Sequence, residues 1–331
     1  MKNTKFLWYF ILFAFLFTTA CSKDEEETPA PAINESLTLA TYLESTDSPL
    51  GKDYVATDLP SITSAEAVHN DLLAGTEIYI IDIRSDADFA LGHIDGAVNV
   101  PSGTVLSYLE TEGIAKTAKI VVVCYTGQTA GWVTSMVRIA GYSNAFSMKW
   151  GMSSWNSFFA SKWQNSVSNM YATQFESDAV AKAAKGAMPT LSTGKTTGQE
   201  ILEARLAAVF AEGFGEAKIT NAAVFDNPDN YYVVNYWAEA DYTHYGHVPG
   251  AMQYTPKVSM NTTVDLTTLP TDKTVVVYCW TGQTSAFMTA YLRVLGYDAK
   301  SLVFGTNGMI YDELESHKWS DNEIKEYDYV D

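Results

Sequence analysis

The chain has 331 residues, of which 47% are hydrophobic and 18% charged, and this composition excludes disorder over most of its length. Its 21 basic and 39 acidic side chains leave a formal charge of −18, which argues against nucleic acid as a partner and against electrostatic attachment to anionic lipid. Three cysteines, Cys21, Cys124 and Cys279, are too few and too scattered for a disulfide scaffold or a four-thiolate zinc site, and the length predicts two domains.

The N-terminus has the pattern of an export signal. Lys2 and Lys5 precede an apolar run over residues 6–17, and small residues lead from there to Cys21. A helix of that length rises about 18 Å, which is too short for a bilayer core of roughly 30 Å. The segment resembles a bacterial lipoprotein signal, and this implies that residues 1–20 are removed and Cys21 is lipidated. An uncleaved membrane anchor is the alternative.

Residues 21–52 are expected to form an acidic, proline-containing tether. The acidic run over residues 24–27 and the prolines that follow cannot bury a core. Acidic residues behind a lipidated cysteine resemble surface-export tags, although a plain solvated linker is an equal reading. We expect a protein lipid-anchored to the bacterial cell envelope, at the outer membrane and exposed at the surface. Acyl chains hold it there, because removal of Lys2 and Lys5 makes the chain still more acidic.

The remainder of the chain is an internal duplication. Four landmarks recur at an offset of 154 or 155 residues: Cys124 and Cys279, Gly127 and Gly282, Arg138 and Arg293, and the Gly-His turns that begin at Gly92 and Gly246. We therefore expect one domain over residues 53–180 and a second over residues 190–331.

Each copy predicts alternating helices and strands. The expected elements are a helix over 64–74 capped by Ser64, strands over 78–82 and 120–123, a helix over 130–140, a loop over 192–198, a helix over 200–211, and a helix that follows Cys279 and ends at Gly296. Short strands made only of apolar residues are typical of a parallel sheet that is covered on both faces. The predicted fold class is α/β.

Both repeated cysteines end an apolar strand and precede a Cys-x-Thr-Gly-Gln-Thr turn into a helix. The helix N-terminus is expected to lower the pKa of the thiol, because backbone N–H groups stabilise a thiolate. Gly127 and Gly282 allow the loop to curl so that successive N–H groups face the sulfur. Such a loop suits a thiolate, a persulfide or an oxyanion. A buried, inert cysteine is the alternative reading.

The two copies resemble rhodanese domains in tandem. The residues that carry the resemblance are Asp82, Arg84, Asp88, Phe89, 92–97, 99–101 and the Cys124 loop in the first copy, and Asp241, Tyr242, 246–251 and the Cys279 loop in the second. The resemblance implies a five-stranded parallel sheet flanked by helices in each domain. It also implies a sulfurtransferase whose cysteine accepts sulfane sulfur as a persulfide and passes it to a thiophilic acceptor.

The same resemblance implies the site residues and partners. Cys124 and Cys279 are the persulfide sites, and the substrate-binding loops are Tyr125, Thr126, Gly127, Gln128 and Thr129, and Trp280, Thr281, Gly282, Gln283 and Thr284. Apart from the resemblance, we expect Asp82 and Arg84 to form a salt bridge near the first loop rather than to contact substrate. The expected partners are a small sulfane-sulfur donor, a thiol or cyanide acceptor, and the membrane through the lipid anchor. No cofactor, metal or nucleic acid is expected.

Loop composition separates sulfur transfer from phosphate chemistry. A Cys-x5-Arg phosphatase loop places an arginine six residues after the cysteine, where this chain has Ala130 and Ser285. Neither loop contains Arg or Lys, and the acidic net charge speaks against a dianion such as thiosulfate. The second copy also has Asn235-Tyr236-Trp237 where the first has its Asp-x-Arg, so Cys124 is the favoured catalytic residue, although retention of Cys279 argues for activity in both.

Several residues have ordinary structural readings. His93 and His247 are expected to pack in turns, Tyr125 and Trp280 either wall a pocket mouth or are exposed aromatics, and a Cys124–Cys279 disulfide is not expected because each thiol belongs to its own domain. The alternative to a sulfurtransferase is a non-catalytic rhodanese-fold module that docks partners at the envelope.

Overall fold

Two consecutive repeats of strands and helices account for the part of the chain that the structure covers. The computed structural model describes residues 33–331, so the expected signal peptide, Cys21 and the acidic run lie outside the described residues. The first repeat, domain 1, contains helices α1 Glu35–Leu43, α2 Tyr54–Thr57, α3 Ala65–Leu73, α4 Asp86–Ala90, α5 Val105–Thr111, α6 Gln128–Ile139, α7 Met152–Trp155 and α8 Ser161–Gln164, and strands β1 Ile62–Thr63, β2 Tyr79–Asp82, β3 Val98–Asn99, β4 Ile120–Val123 and β5 Ala145–Met148.

Domain 2 repeats the five strands of this pattern and has four α-helices. It contains helices α9 Gly198–Glu216, α10 Asn221–Asp226, α11 Glu239–Tyr245 and α12 Gln283–Val294, and strands β6 Lys218–Ile219, β7 Tyr231–Asn235, β8 Met252–Gln253, β9 Thr274–Tyr278 and β10 Ala299–Leu302. Short 3-10 helices lie at Ser102–Thr104, Ser157–Phe159, Ala172–Gln174, Pro228–Asn230, Leu266–Thr268, Gly305–Gly308, Tyr311–Glu313 and Asp321–Glu323.

Each domain is built on one five-stranded parallel sheet. The strand order is β1-β5-β4-β2-β3 in domain 1 and β6-β10-β9-β7-β8 in domain 2, so corresponding strands occupy corresponding places. All strand pairs are parallel. These sheets and their flanking helices confirm the predicted α/β fold with two domains.

In each domain a central strand, β4 or β9, ends immediately before the repeated cysteine. Every residue of β4 is buried, as four consecutive apolar residues require, and Cys124 follows directly. Ser64 caps α3 by accepting a hydrogen bond from the Ala67 N–H, which confirms the predicted start of that helix. In both domains the chain turns at a glycine from the cysteine into the long helix, α6 or α12.

The predicted tether is wrong for residues 35–43. This segment is helix α1, which begins after an Asn34 cap and buries Leu39, Ala40 and Leu43 against domain 2 helix α9. Ser36 Oγ donates a hydrogen bond to the Leu295 carbonyl oxygen at 2.6 Å. The apolar residues of this short stretch form one helical stripe, and its partner lies more than 150 positions away, so local composition alone did not reveal it.

Helices α6 and α12 pack against each other and join the two domains. At Gly131 on α6 an added Cβ would lie 3.1 Å from the Gln283 carbonyl oxygen, so the missing side chain permits the close approach. Ser135 Oγ donates to the Phe287 carbonyl oxygen at 2.8 Å across the contact. Buried apolar residues from both domains form one continuous core here.

Each domain also sends an arm across the other. The first arm, residues 165–180, pairs with His247 of domain 2 through Glu176, and the second arm, residues 319–331, pairs with His93 of domain 1 through Val330. Glu176 and Val330 are 154 positions apart, as are the two histidines, so the exchange follows the repeat. None of the helices between Ile33 and Asp331 has both the length and the hydropathy that a membrane span needs.

Candidate active site at the domain interface

Cys124 lies at the end of β4 with its sulfur under the N-terminus of α6. Its Sγ accepts hydrogen bonds from the backbone N–H groups of Gly127 at 3.2 Å and Ala130 at 3.4 Å. Gly127 is the N-terminal cap of α6 and has φ +81°, a left-handed conformation that a glycine adopts at little cost. The loop therefore forms the anion-stabilising nest that the sequence predicted.

Burial nonetheless has a larger effect on the pKa of the Cys124 thiol than the loop N–H groups have. Desolvation raises the pKa of Cys124, and the nearby backbone N–H groups of Ala130, Thr126 and Gly127 reduce that effect without reversing it. The loop N–H groups thus lower this pKa, as predicted, but burial raises it by more, so the net shift is upward. The side chain is 6% exposed, so the helix N-terminus acts on a group that has lost most of its water.

Asp82 and Arg84 form a buried ion pair beside the loop, as predicted. Arg84 Nη2 lies 2.6 Å from Asp82 Oδ2 and donates a second hydrogen bond to the Gly92 carbonyl oxygen. The guanidinium carbon lies 5.0 Å from the centre of the Tyr125 ring. The pair connects the end of β2 to the cysteine loop and to the Gly-His turn.

Cys124 opens into a cavity of about 550 Å³ between the domains. The domain 1 residues that line it are Ile83, Arg84, Asp88, Cys124, Tyr125, Thr126, Gln128, Thr129 and Lys162. The domain 2 residues that line it are Phe214, Gly215, Lys218, Ile219, Thr220, Val303 and Phe304. The second domain thus supplies nearly half of the wall, most of it apolar.

The cavity is more basic than the chain as a whole. Arg84, Lys162 and Lys218 line it, against the single carboxylate of Asp88, while the charge of Arg84 is balanced by Asp82 behind it. Lys162 Nζ lies 4.0 Å from the centre of the Tyr125 ring. The Ser85 hydrogen bond and the neighbouring Tyr125 hydroxyl keep the pKa of Asp88 below its ordinary value. An anion can therefore be held near Cys124 although neither cysteine loop contains Arg or Lys.

Lys162 and Lys218 were not predicted as site residues from the sequence. Lys162 follows the first domain's last strand by more than ten residues, on α8, and Lys218 begins β6 of the other domain. Their only sequence signal is that each is a cation in a chain short of cations. Lys162 reaches the cavity through the fold of the segment that follows β5, whereas Lys218 reaches it only because the two domains pack together, and the repeat pattern encodes neither.

The two loop glutamines cross the domain interface. Gln128 Oε1 accepts the Phe304 N–H at 2.8 Å, and Gln283 Oε1 accepts the Trp150 N–H at 3.1 Å. Gln283 is 1% exposed and binds the other domain's backbone, whereas Gln128 also borders the cavity. Gln283 therefore makes a contact between domains that the sequence did not predict.

The Cys279 loop has the same backbone but a different setting. Gly282 caps α12 with φ +78°, and Cys279 Sγ accepts the Ser285 N–H at 3.3 Å. Thr281 Oγ1 accepts the Gln283 N–H, and Thr284 is half-buried at the start of α12. Cys279 is 2% exposed and does not line the cavity into which Cys124 opens.

Aromatic rings occupy the space that the ion pair fills in domain 1. Asn235 and Trp237 stand at the positions of Asp82 and Arg84, since β7 and β2 pair with equivalent neighbours. Trp237 stacks on Trp280 with ring centres 3.9 Å apart, and His317 also stacks on Trp280, at 5.3 Å. Trp280 is therefore part of an aromatic stack, whereas Tyr125 walls the cavity.

Other candidate groups take structural roles. His93 and His247 pack on Phe89 and Tyr242 and hydrogen-bond to backbone carbonyl oxygens. Within residues 33–331, His, Cys, Asp and Glu side chains form no group of three suited to a metal ion. Cys124 and Cys279 are both free thiols.

Comparison with known proteins identifies the family. The model of the rhodanese-like domain matches residues 64–158 and 199–309, so this chain belongs to the rhodanese-like domain family and carries the domain twice. This confirms the tandem arrangement that the repeat predicted.

Its curated relatives include single-domain-sized proteins. The thiosulfate sulfurtransferase GlpE of Pseudomonas paraeruginosa is 29% identical over 80 residues, which cover 24% of this chain and 71% of the relative. GlpE of Shewanella oneidensis is 30% identical over 90 residues, covering 26% of this chain and 87% of the relative.

Solved structures with similarity include a rhodanese-like domain protein from Staphylococcus aureus and a thiosulfate sulfurtransferase from Pseudomonas aeruginosa. The first is 25% identical with a TM-score of 0.26 and covers 28% of this chain and 87% of that chain. The second is 16% identical with a TM-score of 0.30 and covers 79% of this chain and 46% of that chain.

Proposed function

We propose that the protein is a sulfurtransferase in which Cys124 carries the transferred sulfur. The observation that carries the proposal is the Cys124 sulfur itself, held by two backbone N–H groups and open to a cavity with basic residues from both domains. Membership of the rhodanese-like family supports this chemistry. The relatives' names make thiosulfate the first donor to test.

The reaction proceeds in two displacements. The Cys124 thiolate attacks the sulfane sulfur of the donor, the donor's S–S bond breaks, and the leaving group departs with its electron pair. With thiosulfate the products are the Cys124 persulfide and sulfite. An acceptor thiolate or cyanide then attacks the outer sulfur of the persulfide and regenerates the Cys124 thiolate. The Gly127 and Ala130 N–H groups stabilise the anionic sulfur throughout.

The charge of the cavity assigns roles to its basic residues. Lys162 and Lys218 attract the anionic end of the donor, while the Asp82–Arg84 pair holds the loop and is already neutral. Phe214, Phe304 and Ile219 exclude water from the opposite side, which strengthens the hydrogen bonds to sulfur.

Steady-state sulfur transfer tests the proposal. With thiosulfate or another sulfane donor and cyanide or a thiol as acceptor, Cys124→Ser should reduce turnover by about 10³-fold or more, as loss of a nucleophile does. The matched variant Cys279→Ser should keep at least half of the wild-type rate. Wild-type protein that transfers sulfur from none of these donors would rule the proposal out.

For domain 2 we propose a non-catalytic role. The observation that favours it is the Trp237–Trp280–His317 stack at the Cys279 loop, together with the burial of Cys279 away from the Cys124 cavity. In this proposal domain 2 completes the Cys124 cavity. A Cys279 persulfide that turns over at a rate comparable with that of Cys124 would contradict it.

We also propose that the protein is attached to the cell envelope through a lipid on Cys21, at the outer membrane and facing outward. The basic start, the short apolar run and the small residues before Cys21 support this proposal. Mass analysis of the N-terminal peptide should find an acylated Cys21, and Cys21→Ser should release the protein from the membrane fraction. Protease treatment of intact cells would then test surface exposure.

A further inference from the structure

The Trp163 indole binds the cysteine loop from behind. Its Nε1–H donates a hydrogen bond to the Thr126 carbonyl oxygen at 3.2 Å. That carbonyl belongs to the same planar peptide unit as the Gly127 N–H, and in a trans peptide the two groups point in opposite directions. The Gly127 N–H is one of the two donors to Cys124 Sγ. One peptide is therefore held at its oxygen by Trp163 and offers its hydrogen to the sulfur.

The indole is itself tightly fixed. Trp163 is fully buried and meets the rings of Trp150 and Phe304 edge to face, with ring centres 4.7 and 5.0 Å apart. Trp319 stacks on it at 5.7 Å. Phe304 and Trp319 belong to domain 2 and its arm, so the second domain holds Trp163 against the loop of the first.

The duplicated loop provides an internal comparison. Gly282 has nearly the same φ and ψ as Gly127, and the Ser285 N–H bonds to Cys279 Sγ as the Ala130 N–H bonds to Cys124 Sγ. Within residues 33–331, however, no hydrogen bond reaches the Thr281 carbonyl oxygen, and the Gly282 N–H makes none to Cys279 Sγ. The glycine N–H thus donates to the sulfur in the Cys124 loop, where an indole holds the peptide, and does not do so in the Cys279 loop.

We propose that Trp163 is a positioning residue for the Cys124 sulfur, acting through the Thr126–Gly127 peptide. By fixing that peptide it keeps the Gly127 N–H directed at the thiolate and at the persulfide that replaces it. The expected effect on sulfur transfer rests on the proposed function. The expected effect on the free Cys124 thiolate does not, because it follows from the hydrogen bond alone.

Trp163→Phe removes the N–H while keeping a ring in the same place. Because one of the hydrogen bonds to the anionic sulfur is then less well directed, the midpoint of the pH profile for Cys124 alkylation should rise by about half to one unit. Sulfur-transfer turnover at saturating donor should fall about three- to tenfold, with the donor concentration for half-saturation unchanged. Peptide mass analysis separates Cys124 alkylation from that of Cys279.

The matched control is Trp155→Phe. Trp155 Nε1 donates to the Asp328 carbonyl oxygen at 2.8 Å, so this variant also loses a buried indole hydrogen bond, but to the second arm and not to the loop. It should lower stability and leave the Cys124 profile unchanged. If Trp163→Phe behaves like Trp155→Phe, the positioning role is wrong.

A second variant covers the case in which Trp163→Phe does not fold. Trp319→Leu keeps the Trp163 N–H but removes the ring stacked on it, and should shift the Cys124 profile in the same direction by a smaller amount. An unchanged profile in Trp319→Leu would overturn the inference. Alkylation requires no sulfur donor, so failure of the positioning role and failure of sulfur transfer are told apart.

Discussion

At the scale of residues, the charge near Cys124 differs from the charge of the chain. The acidic composition argued against an anionic donor, yet Lys162 and Lys218 face the cavity and only Asp88 opposes them there. Coulomb attraction between exposed charges falls off within about 8 Å at physiological salt, so the nearby lysines outweigh distant acids. Local placement decides which ions approach the thiol.

Replacement of Lys218 tests this placement. Lys218→Gln should raise the KM for thiosulfate about 1.5- to fivefold with little change in kcat, because an exposed charge contributes about 0.2–1 kcal/mol to binding. Lys273→Gln removes an equal charge from an exposed site of domain 2 that does not line the cavity. If both variants raise KM equally, net charge rather than Lys218 attracts the donor.

The protonation of Cys124 gives a second prediction at this scale. Since burial raises the pKa of this thiol above its ordinary value of 9.0, the neutral thiol predominates at pH 7 and the thiolate forms only as the pH rises. The rate of Cys124 alkylation should therefore still be increasing above pH 9. Peptide-resolved alkylation between pH 6 and pH 10 measures it, and a plateau reached near neutral pH would show that the loop N–H groups outweigh desolvation.

At the scale of elements, the two cysteine loops and the helices after them also form the domain contact. An added Cβ at Gly127 would lie 2.1 Å from Gln283 Nε2 and 2.8 Å from the Met148 carbonyl oxygen, and at Gly282 it would lie 2.3 Å from Gln128 Oε1. Each glycine therefore serves the sulfur nest and the interface at once. The loop cannot change without disturbing the other domain.

Two alanine substitutions separate these effects. Gly96 has φ +79° and nothing within 4 Å of an added Cβ, so Gly96→Ala should cost about 1–2 kcal/mol of unfolding free energy from backbone strain alone. Gly127→Ala has the same strain plus the overlap, and should cost about 3 kcal/mol or more. Urea unfolding measures both. Equal costs would mean that Gln283 and Met148 move away from the added Cβ at Gly127 without a measurable loss of stability.

Much of the elements' order could be predicted because it depends on local pattern. Apolar runs before Cys124 and Cys279, glycine turns and helical spacing are visible within a dozen residues, and they define the strands and helices that carry the nests. The partners of those elements are not local. Helix α1 was mistaken for tether because its partner α9 lies far along the chain, and the contact of Gln283 with Trp150 was not predicted because it crosses between repeats.

At the scale of the whole molecule, the two domains are joined by exchanged arms as well as by a shared core. The second arm contributes antiparallel hydrogen bonds between Val330 and His93, and Tyr327 of that arm stacks on His69 with ring centres 3.8 Å apart. The first arm makes the equivalent pairing with His247. Unfolding of one domain should therefore remove support from the other.

Truncation of the second arm tests this coupling. Removal of residues 325–331 deletes the pairing with His93 and the hydrogen bonds to Ser154 and Trp155, and should cost about 3 kcal/mol or more of unfolding free energy. Hydrogen exchange should show reduced protection in both β4 and β9. Removal of Asp331 alone is the control and should change neither. Loss of protection in β4 only would show that the domains unfold independently.

The most direct test of the central claim is to locate the persulfide in the unmodified protein. After incubation with a sulfane donor, removal of excess donor and peptide mass analysis, the peptide with Cys124 should gain the mass of one sulfur atom, and addition of a thiol or cyanide acceptor should remove it. The peptide with Cys279 should stay unchanged. Sulfur found on Cys279 alone, or on neither cysteine with any donor, would contradict the account.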